Sequence, residues 1–348
     1  MNDILNKTSW KVFEISEIFE VVNSKPYHTS DVKKYDRGIP YVTRTGLNNG
    51  YESIIQNEEF VTNPSNVISF GAESAEFFYQ ENEYITGNKM YYITHERLNK
   101  EIGIFLVQAL QSSIKDSGFG YGKGLTGTRL LKRKIVLPVD EDGIPHWQFM
   151  EDYIKQERKK QVDKVVEYYE SRSEELKIAI RELSENSNFE VFRFDSIFNS
   201  IQRGKRLKKG DHIDGKIPYV SSTGLNNGLD GFIGNETDVR MFNDNLSIAN
   251  SGSVGKSFYH PYRYIGSDHI TSLTIEKGNK YSYLYISTIT SKLEVKYSFN
   301  REINNARMIK EKIVLPVIQP QHIDYSYMEN KMKNIELDIL KDIIDYYK

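Results

Sequence analysis

The sequence contains no cysteine in its 348 residues, which excludes disulfide bonds, thiolate metal sites and a cysteine nucleophile. It has no apolar run long enough to cross a bilayer and no basic-then-apolar segment at its start, so we expect a cytoplasmic protein. Histidine is scarce, with seven residues and no metal-ligand spacing. The chain also has no excess of positive charge, since its formal net charge is −2. A purely electrostatic binder of a polyanion would be expected to be more basic.

The small net charge hides an uneven distribution along the chain. Residues 1–145 contain 16 Lys and Arg against 19 Asp and Glu, whereas residues 189–317 contain 18 against 13. Any basic surface must therefore be local, and the second half is the better electrostatic candidate. At 39% hydrophobic and 12% aromatic residues the chain has enough apolar side chains for packed cores, and its length suggests two domains plus connectors.

An internal duplication is the strongest feature of the sequence. The stretch IPYVTRTGLNNG at residues 39–50 recurs as IPYVSSTGLNNG at residues 217–228, an offset of 178. KIVLPV at residues 134–139 recurs at residues 312–317 with the same offset. Chance does not maintain one offset across separated landmarks, so the chain contains two copies of one unit.

The middles of the two copies differ. Residues 52–66 and 88–130 share little with residues 230–244 and 268–306. A shared framework with divergent middles indicates one scaffold that presents two different recognition surfaces. Neutral drift of surface loops is the alternative explanation.

Residues 10–145 and 189–317 have the pattern of short strands, rich in aromatic and β-branched residues and broken by Asn-Gly and Gly-Asn turn signals. A helical pattern covers residues 98–116, and the repeat favours a helix over the matching residues 281–293. We therefore predict an α+β fold with two β-rich domains, residues 1–145 and 189–317.

Two segments, residues 146–188 and 318–348, have a helical pattern instead. Pro145 precedes the first segment, and no Pro or Gly follows before residue 187. Apolar side chains recur there in steps of four and three, interrupted by Ser173, and the same register returns 178 residues later. The predicted spacer-helix residues are Val162, Val166, Tyr169, Leu176, Ile180, Leu183, Leu340, Ile344 and Tyr347.

We predict that these helices, about 60 Å and about 45 Å long at 1.5 Å per residue, pair with each other as a coiled coil. The alternative is that each helix packs separately on its own domain. Pairing is favoured because the shared seam would otherwise expose apolar residues over several turns.

The order of these elements resembles the specificity subunits of type I restriction–modification systems, and of type IIB enzymes with a separate specificity chain. The resemblance rests on the opening strand WKVF at residues 10–13, the closing IVLPV of each unit, the long helix that follows each unit and the repeated IPYV and TGLNNG stretches. The turn GSVGK at residues 252–256 is also similar. The resemblance covers about residues 10–348, and the order and the duplication carry it rather than one motif.

The resemblance implies two pseudo-twofold-related target-recognition domains that each read one half of a bipartite, asymmetric DNA site. It implies that the spacer helices are antiparallel, fix the distance between half-sites and dock DNA methyltransferase subunits, two per chain. A restriction subunit or a fused nuclease domain completes the implied assembly. The chain itself is then non-catalytic and holds no cofactor, while S-adenosylmethionine, Mg²⁺ and, in a type I system, ATP belong to partner subunits. Type I and type IIB stay open, as do the recognised bases.

Cations and directional polar groups identify the candidate DNA contacts, because phosphates attract the former and base edges pair with the latter. Residues 203–209 hold five cations in seven positions directly after a predicted strand. We expect phosphate contacts there, although a solvated charge run has the same composition. The residues predicted from this segment and its first-unit counterpart are Arg203, Lys205, Arg206, Lys208 and Lys25.

Base-reading candidates lie where the copies differ. Thr43 and Arg44 occupy the positions that Ser221 and Ser222 occupy in the second copy, just before a turn. The glycine-rich loop at residues 118–124 carries Tyr121 and Lys123, and its counterpart at residues 298–305 offers Arg and Asn, which suit guanine and adenine. The remaining predicted DNA-binding residues are Lys89, Arg129, His269, Arg301, Asn304 and Arg307. A lone histidine such as His269 is more often structural.

Residues 250–257, NSGSVGKS, nearly match a nucleotide-binding phosphate loop, but Asn250 replaces the first glycine. The residues that follow favour a strand, whereas a phosphate loop must open a helix. We predict a hairpin turn in which Lys256 contacts a phosphate.

Motifs for chemistry are missing. The chain has no Asn/Asp-Pro-Pro-aromatic element and no glycine-rich methyl-donor site, so we expect partner subunits to methylate adenine and cleave DNA. The alternatives are a duplicated β-rich protein-interaction module without DNA specificity, and a stand-alone nuclease. Steep loss of DNA affinity with salt separates the first from a DNA reader, and cleavage of a plasmid by the chain alone would support the second.

Overall fold

The structure, a computed structural model, describes residues 3–56, 60–180, 188–297 and 301–348. The chain divides into two compact units, Met1–Lys164 and Val165–Lys348. Both units mix short strands with helices, which confirms the α+β prediction. Among the described residues, no helix is both long enough and apolar enough to span a membrane.

The first unit begins with a short helix and closes on the strand that contains the repeated IVLP sequence. Its elements are α1 (Asp3–Lys7), β1 (Trp10–Glu14), α2 (Ile15–Ile18), β2 (Glu20–Asn23), β3 (Lys34–Val42), β4 (Tyr51–Ile55), β5 (Val67–Gly71), β6 (Phe77–Gln80), β7 (Ile85–Thr86), β8 (Met90–Thr94), α3 (Lys100–Ser113), α4 (Gly127–Leu131) and β9 (Lys134–Pro138). The long helix α5 (Trp147–Ala179) follows, and the boundary between the units falls within it.

The second unit repeats this order. Its further elements are β10 (Asn188–Arg193), α6 (Phe194–Ile197), β11 (Ser200–Arg203), β12 (Asp214–Val220), β13 (Leu229–Ile233), β14 (Met241–Phe242), β15 (Asn245–Ala249), β16 (Ser257–His260), β17 (Tyr264–Gly266), β18 (Ile270–Thr274), α7 (Lys280–Thr290), α8 (Asn305–Lys310), β19 (Lys312–Gln319), β20 (His322–Ile323) and α9 (Tyr325–Tyr347).

Sheet topology repeats as well. In the first unit the strand orders are β1-β9, β2-β8-β5-β6 and β4-β3-β7. In the second unit they are β10-β19-β20, β11-β18-β15-β16 and β13-β12-β17-β14. The opening strand of each unit pairs antiparallel with the closing IVLP strand, since Val12 lies opposite Val136 and Val191 opposite Val314. The duplication in the sequence is therefore a duplication of the fold.

Each unit has its own main core between the four-stranded sheet and its helix. In the first unit, Ile102, Leu106 and Leu110 of α3 pack against Ile68 and other buried sheet residues. Their spacing of four puts them on one face of the helix. The helix predicted over residues 98–116 is confirmed as α3, and the one favoured over residues 281–293 is α7 followed by a 3-10 turn at Ser291–Val295.

Of the residues predicted to pack between the spacer helices, some are buried and others are partly exposed. Leu176 and Leu340 are buried in one cluster with Tyr281 and Leu337, and Tyr169 and Ile180 pack against it. Val162, Val166 and Ile344 are partly exposed, Tyr347 is 43% exposed, and Leu183 lies outside the described residues.

Within the second unit, α9 runs antiparallel to residues 165–179 of α5. Lys348 pairs with Glu170 at 2.6 Å, and the Lys333 ammonium lies 3.4 Å from the carbonyl of Ala179. Helix α7 also joins this packing through Tyr281 and Leu284, so the two long helices do not form an isolated pair.

The glycine-rich stretch after β15 is a hairpin, as predicted. Strands β15 and β16 pair antiparallel, with Ile248 opposite Ser257. Because the segment leads into a strand and not a helix, it lacks the helix N-terminus that a phosphate loop needs.

Candidate nucleic-acid interface

One end of the four-stranded sheet collects most of the predicted DNA contacts of the first unit. Strands β2 and β5 end where β8 begins, since Asn23 lies opposite Tyr91 and Gly71 opposite Met90. The residues that leave the sheet there include Lys25 and Lys89. We call this end of the four-stranded sheet the loop end, and we use the same name for the corresponding end in the second unit.

Backbone hydrogen bonds join the glycine-rich loop to the loop end. The Ala72 amide donates to the Lys89 carbonyl at 3.0 Å, and the Leu125 amide donates to the Ala72 carbonyl at 2.7 Å. The second unit has both bonds at the equivalent residues. The Asn250 amide donates to the His269 carbonyl at 2.9 Å, and the Ile303 amide donates to the Asn250 carbonyl at 3.0 Å. The same framework therefore brings together chain segments whose side chains differ between the units.

At the loop end of the first unit, Arg44, Glu73 and Lys89 form a triad. The Arg44 guanidinium contacts one carboxylate oxygen of Glu73, and the Lys89 ammonium lies 2.6 Å from the other. The hydrogen bond from Lys89 is the main cause that lowers the pKa of the Glu73 carboxyl, so the carboxylate stays ionised at neutral pH. Arg44 also lines a polar cleft of about 300 Å³ together with Thr43.

At the corresponding positions the second unit has Ser222, Ser251 and His269. The Ser251 hydroxyl lies 2.5 Å from the Nδ1 atom of His269. The Ser222 carbonyl accepts a hydrogen bond from the Ser253 amide at 3.1 Å, which holds Ser222 against the same turn. The scaffold thus places a Glu–Lys contact in one unit and a Ser–His contact in the other.

A cation lies over an aromatic ring at equivalent positions. The Lys123 ammonium is 5.0 Å from the centre of the Phe119 ring, and the Arg301 guanidinium is 5.6 Å from the centre of the Tyr297 ring. Both cations are exposed. Stacking restricts each side chain while its charge remains available to a ligand. Residues 298–300 of the predicted second-unit loop lie outside the described residues.

The position of the Tyr297 ring is also fixed by a hydrogen bond from its hydroxyl group. Its hydroxyl donates to Glu311 at 2.5 Å, and the Lys296 ammonium lies 2.7 Å from the same carboxylate. Burial acts to raise the pKa of Glu311, but these two donors hold it below its usual value.

Arg129 and Arg307 are equivalent and share a structural contact. One guanidinium nitrogen of each donates to a backbone carbonyl five residues earlier, at 2.6 Å on Gly124 and 2.7 Å on Glu302. The Asn304 side-chain oxygen accepts from the Arg307 amide at 3.0 Å and so caps helix α8. Asn304 therefore has a structural role that its prediction as a base reader did not include.

The cations of the basic segment after β11 fall into two groups, those that contact an oxygen of the protein and those that are exposed to solvent. Arg203 donates to the carbonyl of Asp268 at 2.5 Å, and Lys205 pairs with Asp238 at 2.6 Å. Arg206 and Lys208 are exposed and form no ion pair with the described residues. Lys209 is exposed in the same way, so the charge that remains available in this segment lies at residues 206–209.

The other predicted residues have separate surroundings. Lys25 is exposed, with its ammonium 5.5 Å from the centre of the Tyr27 ring, and Tyr121 is 90% exposed. The Ser221 amide donates to Gly228 at 2.9 Å, as the Thr43 amide does to Gly50 at 2.8 Å. Lys256 is neutralised by Glu294 at 2.7 Å, which weakens the prediction that it contacts a phosphate.

Sequence reasoning missed Glu73 and Ser251. The 178-residue offset aligns them with each other, and this was the available signal. The offset does not reveal that Glu73 faces the start of β8 and Ser251 the start of β18, because these positions depend on strand register.

The two units define a duplicated α+β protein in which one scaffold carries different side chains at its two loop ends. The family model for the type I restriction modification DNA specificity domain matches residues 7–168 and 186–344. The chain belongs to this family, and its function is the recognition of a DNA sequence as a specificity subunit of a restriction–modification system. Subunits of this family are non-catalytic.

Among curated relatives, the chain is 30% identical over 336 residues to the specificity subunit S.BcgI of the type II restriction enzyme BgcI from Heyndrickxia coagulans. This match covers 95% of the chain and 96% of the relative. Among solved structures, the type I restriction–modification S subunit from M. genitalium matches with a TM-score of 0.48 and 15% identity, over 98% of this chain and 92% of that one.

Proposed function

We propose that each unit reads one half of a bipartite, asymmetric DNA site. One observation carries this proposal: equivalent positions hold Arg44, Glu73 and Lys89 in the first unit but Ser222, Ser251 and His269 in the second. Identical scaffolds approach DNA in the same way, so different side chains at the same place select different bases. Two identical readers would instead select a palindrome.

Phosphate contacts supply the sequence-independent part of the affinity. Arg206 and Lys208 suit this role because they are exposed and have no carboxylate partner among the described residues. The cations stacked on Phe119 and Tyr297 lie on the variable loops and suit contacts nearer the bases.

We further propose that two DNA methyltransferase subunits dock on each chain, on an apolar strand face of each unit rather than on the spacer helices that the resemblance implied. In the first unit, the outer face of the β1–β9 pair exposes Trp10, Val12 and Val136 by 40, 55 and 50%. The second unit exposes Phe189, Val191 and Val314 by 49, 59 and 49% at the matching places. Contiguous exposed apolar residues of this kind typically mark a protein interface. Because the face occurs once per unit, its occupant would bind twice.

In this proposal the chemistry belongs to the partners, and the complex acts in the cytoplasm. The methyltransferase subunits bind S-adenosylmethionine, and a restriction subunit or fused nuclease domain uses Mg²⁺. A requirement of cleavage for ATP would place the system with type I enzymes, and cleavage without ATP would place it with type IIB enzymes. The chain alone, incubated with Mg²⁺ and plasmid, should leave the plasmid intact.

The test of site reading is methylome sequencing of cells that express the chain with the methyltransferase encoded beside it. We expect methylated adenines within one motif that has two unlike halves and a fixed spacing. A palindromic motif, or methylation that does not depend on the chain, would contradict the proposal.

Docking is tested by Val12→Asp and Val191→Asp, singly and together, with native mass spectrometry of the assembly. Each single variant should lose one methyltransferase subunit and the double variant both. Val295→Asp is the matched control, since Val295 is 90% exposed and belongs to the 3-10 turn after α7 rather than to either strand pair. Full assembly of the double variant would show that this face is not the docking surface.

A further inference from the structure

The triad at the loop end of the first unit has the geometry of a base-reading centre. A guanidinium that reads guanine must present two N–H donors to the O6 and N7 acceptors at once, so its plane must be held in place. Arg44 is held in this way, because its Nη1 atom contacts Glu73. Its side chain remains 36% exposed, so part of it is accessible to a ligand.

Glu73 is itself fixed from a second direction. Its other oxygen accepts from Lys89 at 2.6 Å, and Lys89 follows β7 in a left-handed conformation with φ of +59°. Glu73 is 20% exposed and Lys89 is 62% exposed, so the carboxylate lies beneath the two cations. Two cations around one carboxylate leave a net positive charge, which suits the acceptor-rich major-groove edge of guanine.

We propose that Arg44, Glu73 and Lys89 form the guanine-reading centre of the first unit, with Glu73 as the positioning residue for Arg44. The equivalent centre of the second unit, Ser222, Ser251 and His269, lacks the guanidinium and selects a different base. This inference rests on the proposed function, since it assigns one base of the bipartite site to named residues.

A phosphate clamp is the competing role for the same cations. A clamp depends mainly on charge, which lysine also supplies as a point charge. A guanidinium reads the O6 and N7 acceptors of guanine with a rigid planar fork, whereas a lysine ammonium has no such fixed geometry. The variant Arg44→Lys therefore separates the two roles while it keeps the charge.

The experiment selects binders from a randomised DNA duplex library with the full chain in complex with its methyltransferase. We compare the wild type with Arg44→Lys and Glu73→Gln. Both variants should lose about tenfold in preference for guanine at one position of one half-site, since a bidentate contact provides discrimination of that order. In Arg44→Lys, which keeps the charge, the affinity for non-specific plasmid DNA should not change, and in both variants the preference at the other half-site should be retained.

Glu81→Gln is the matched control, because Glu81 also pairs with a lysine of the first unit, Lys100, at 2.8 Å. It should leave the selected motif intact. Thermal melting shows whether Glu73→Gln folds, and Arg44→Lys keeps the test decisive if it does not.

A transplant sharpens the test. The triple variant Arg44→Ser, Glu73→Ser and Lys89→His puts the second centre's side chains on the first scaffold. The preference for guanine at the affected position should disappear, with no change in the other half-site.

Three outcomes would overturn the inference: a motif unchanged in Arg44→Lys, a motif unchanged in Glu73→Gln while the affinity for all sequences shifts alike, or a wild-type motif without guanine in either half. Failure of the proposed function looks different, because the wild-type complex would then select a palindrome or no bipartite motif at all.

Discussion

Arg172 of α5 and Glu336 of α9 form an ion pair with 3.0 Å between Nε and Oε1. Arg172 also donates to the Tyr281 hydroxyl at 2.7 Å, so one side chain connects α5, α7 and α9 within the second unit. Leu176 lies one turn further along α5 and is only 1% exposed. Residues 165–179 of the long helix are therefore part of the second unit's packing and not a bare connector.

We predict that Leu176→Ala lowers the free energy of unfolding of the second unit by about 2–5 kcal/mol, because it removes buried methyl groups and leaves a cavity. Urea denaturation followed by circular dichroism measures the change. Ile178→Ala is the control, since Ile178 is 86% exposed on the same helix and should cost less than about 0.5 kcal/mol. Equal effects of the two changes would mean that the α5–α9 packing does not exist in solution.

His260 makes the stability of the second unit depend on pH. The side chain is fully buried, its Nε2 atom is 2.7 Å from the Ser247 hydroxyl, and burial lowers its pKa to about 4. The unfolded chain has a histidine pKa of about 6.5. Between these two values the unfolded chain takes up a proton that the folded chain does not, so stability falls as the pH falls from about 6.5 towards 4.

We predict that His260→Gln weakens this pH dependence. The first unit already has Gln80 at the equivalent place, 2.9 Å from the hydroxyl of Ser69, so the scaffold accepts glutamine. Between pH 7.5 and pH 5 the wild type should lose about 2 kcal/mol more than the variant, measured by urea unfolding. His322→Gln, at an exposed histidine, should behave like the wild type. If the free energy of unfolding falls equally at acid pH in all three proteins, His260 is not buried as a neutral ring.

Much of the fold followed from local patterns. The 178-residue offset predicted two units of one fold, and the spacing of Ile102, Leu106 and Leu110 predicted α3, because periodicity and turn residues act over short stretches of chain. The sequence also excluded a phosphate loop at residues 250–257, because strand-forming residues follow it.

The chemistry of the site was less predictable. Arg44 and Lys89 could each be named from the sequence, but their shared partner Glu73 depends on the antiparallel register of β5 and β8. Non-local pairings of this kind have no signature in a single sequence. Asn304 illustrates the opposite error, since a residue type that suits adenine serves here to cap a helix.

We predict that Arg206→Ala with Lys208→Ala weakens binding to all DNA sequences alike. The slope of log affinity against log salt should become shallower by about 1.8, because about 0.9 counterion is released per phosphate contact. Fluorescence anisotropy over a range of salt concentrations measures this slope. Lys205→Ala should have a smaller effect, since Asp238 already neutralises Lys205. A slope unchanged in the double variant would remove residues 206–208 from the interface.

Arg301 should contribute to sequence preference because of its support by Tyr297 and Glu311. We predict that Arg301→Ala relaxes one position of the half-site read by the second unit, while the other half-site keeps its motif; selection from a randomised duplex library measures both. Tyr297→Leu should act in the same direction more weakly, because it removes the stacked ring but retains the cation. Lys310→Ala, an exposed cation of the same unit, is the control. If Arg301→Ala lowers affinity for every sequence equally, Arg301 contacts a phosphate rather than a base.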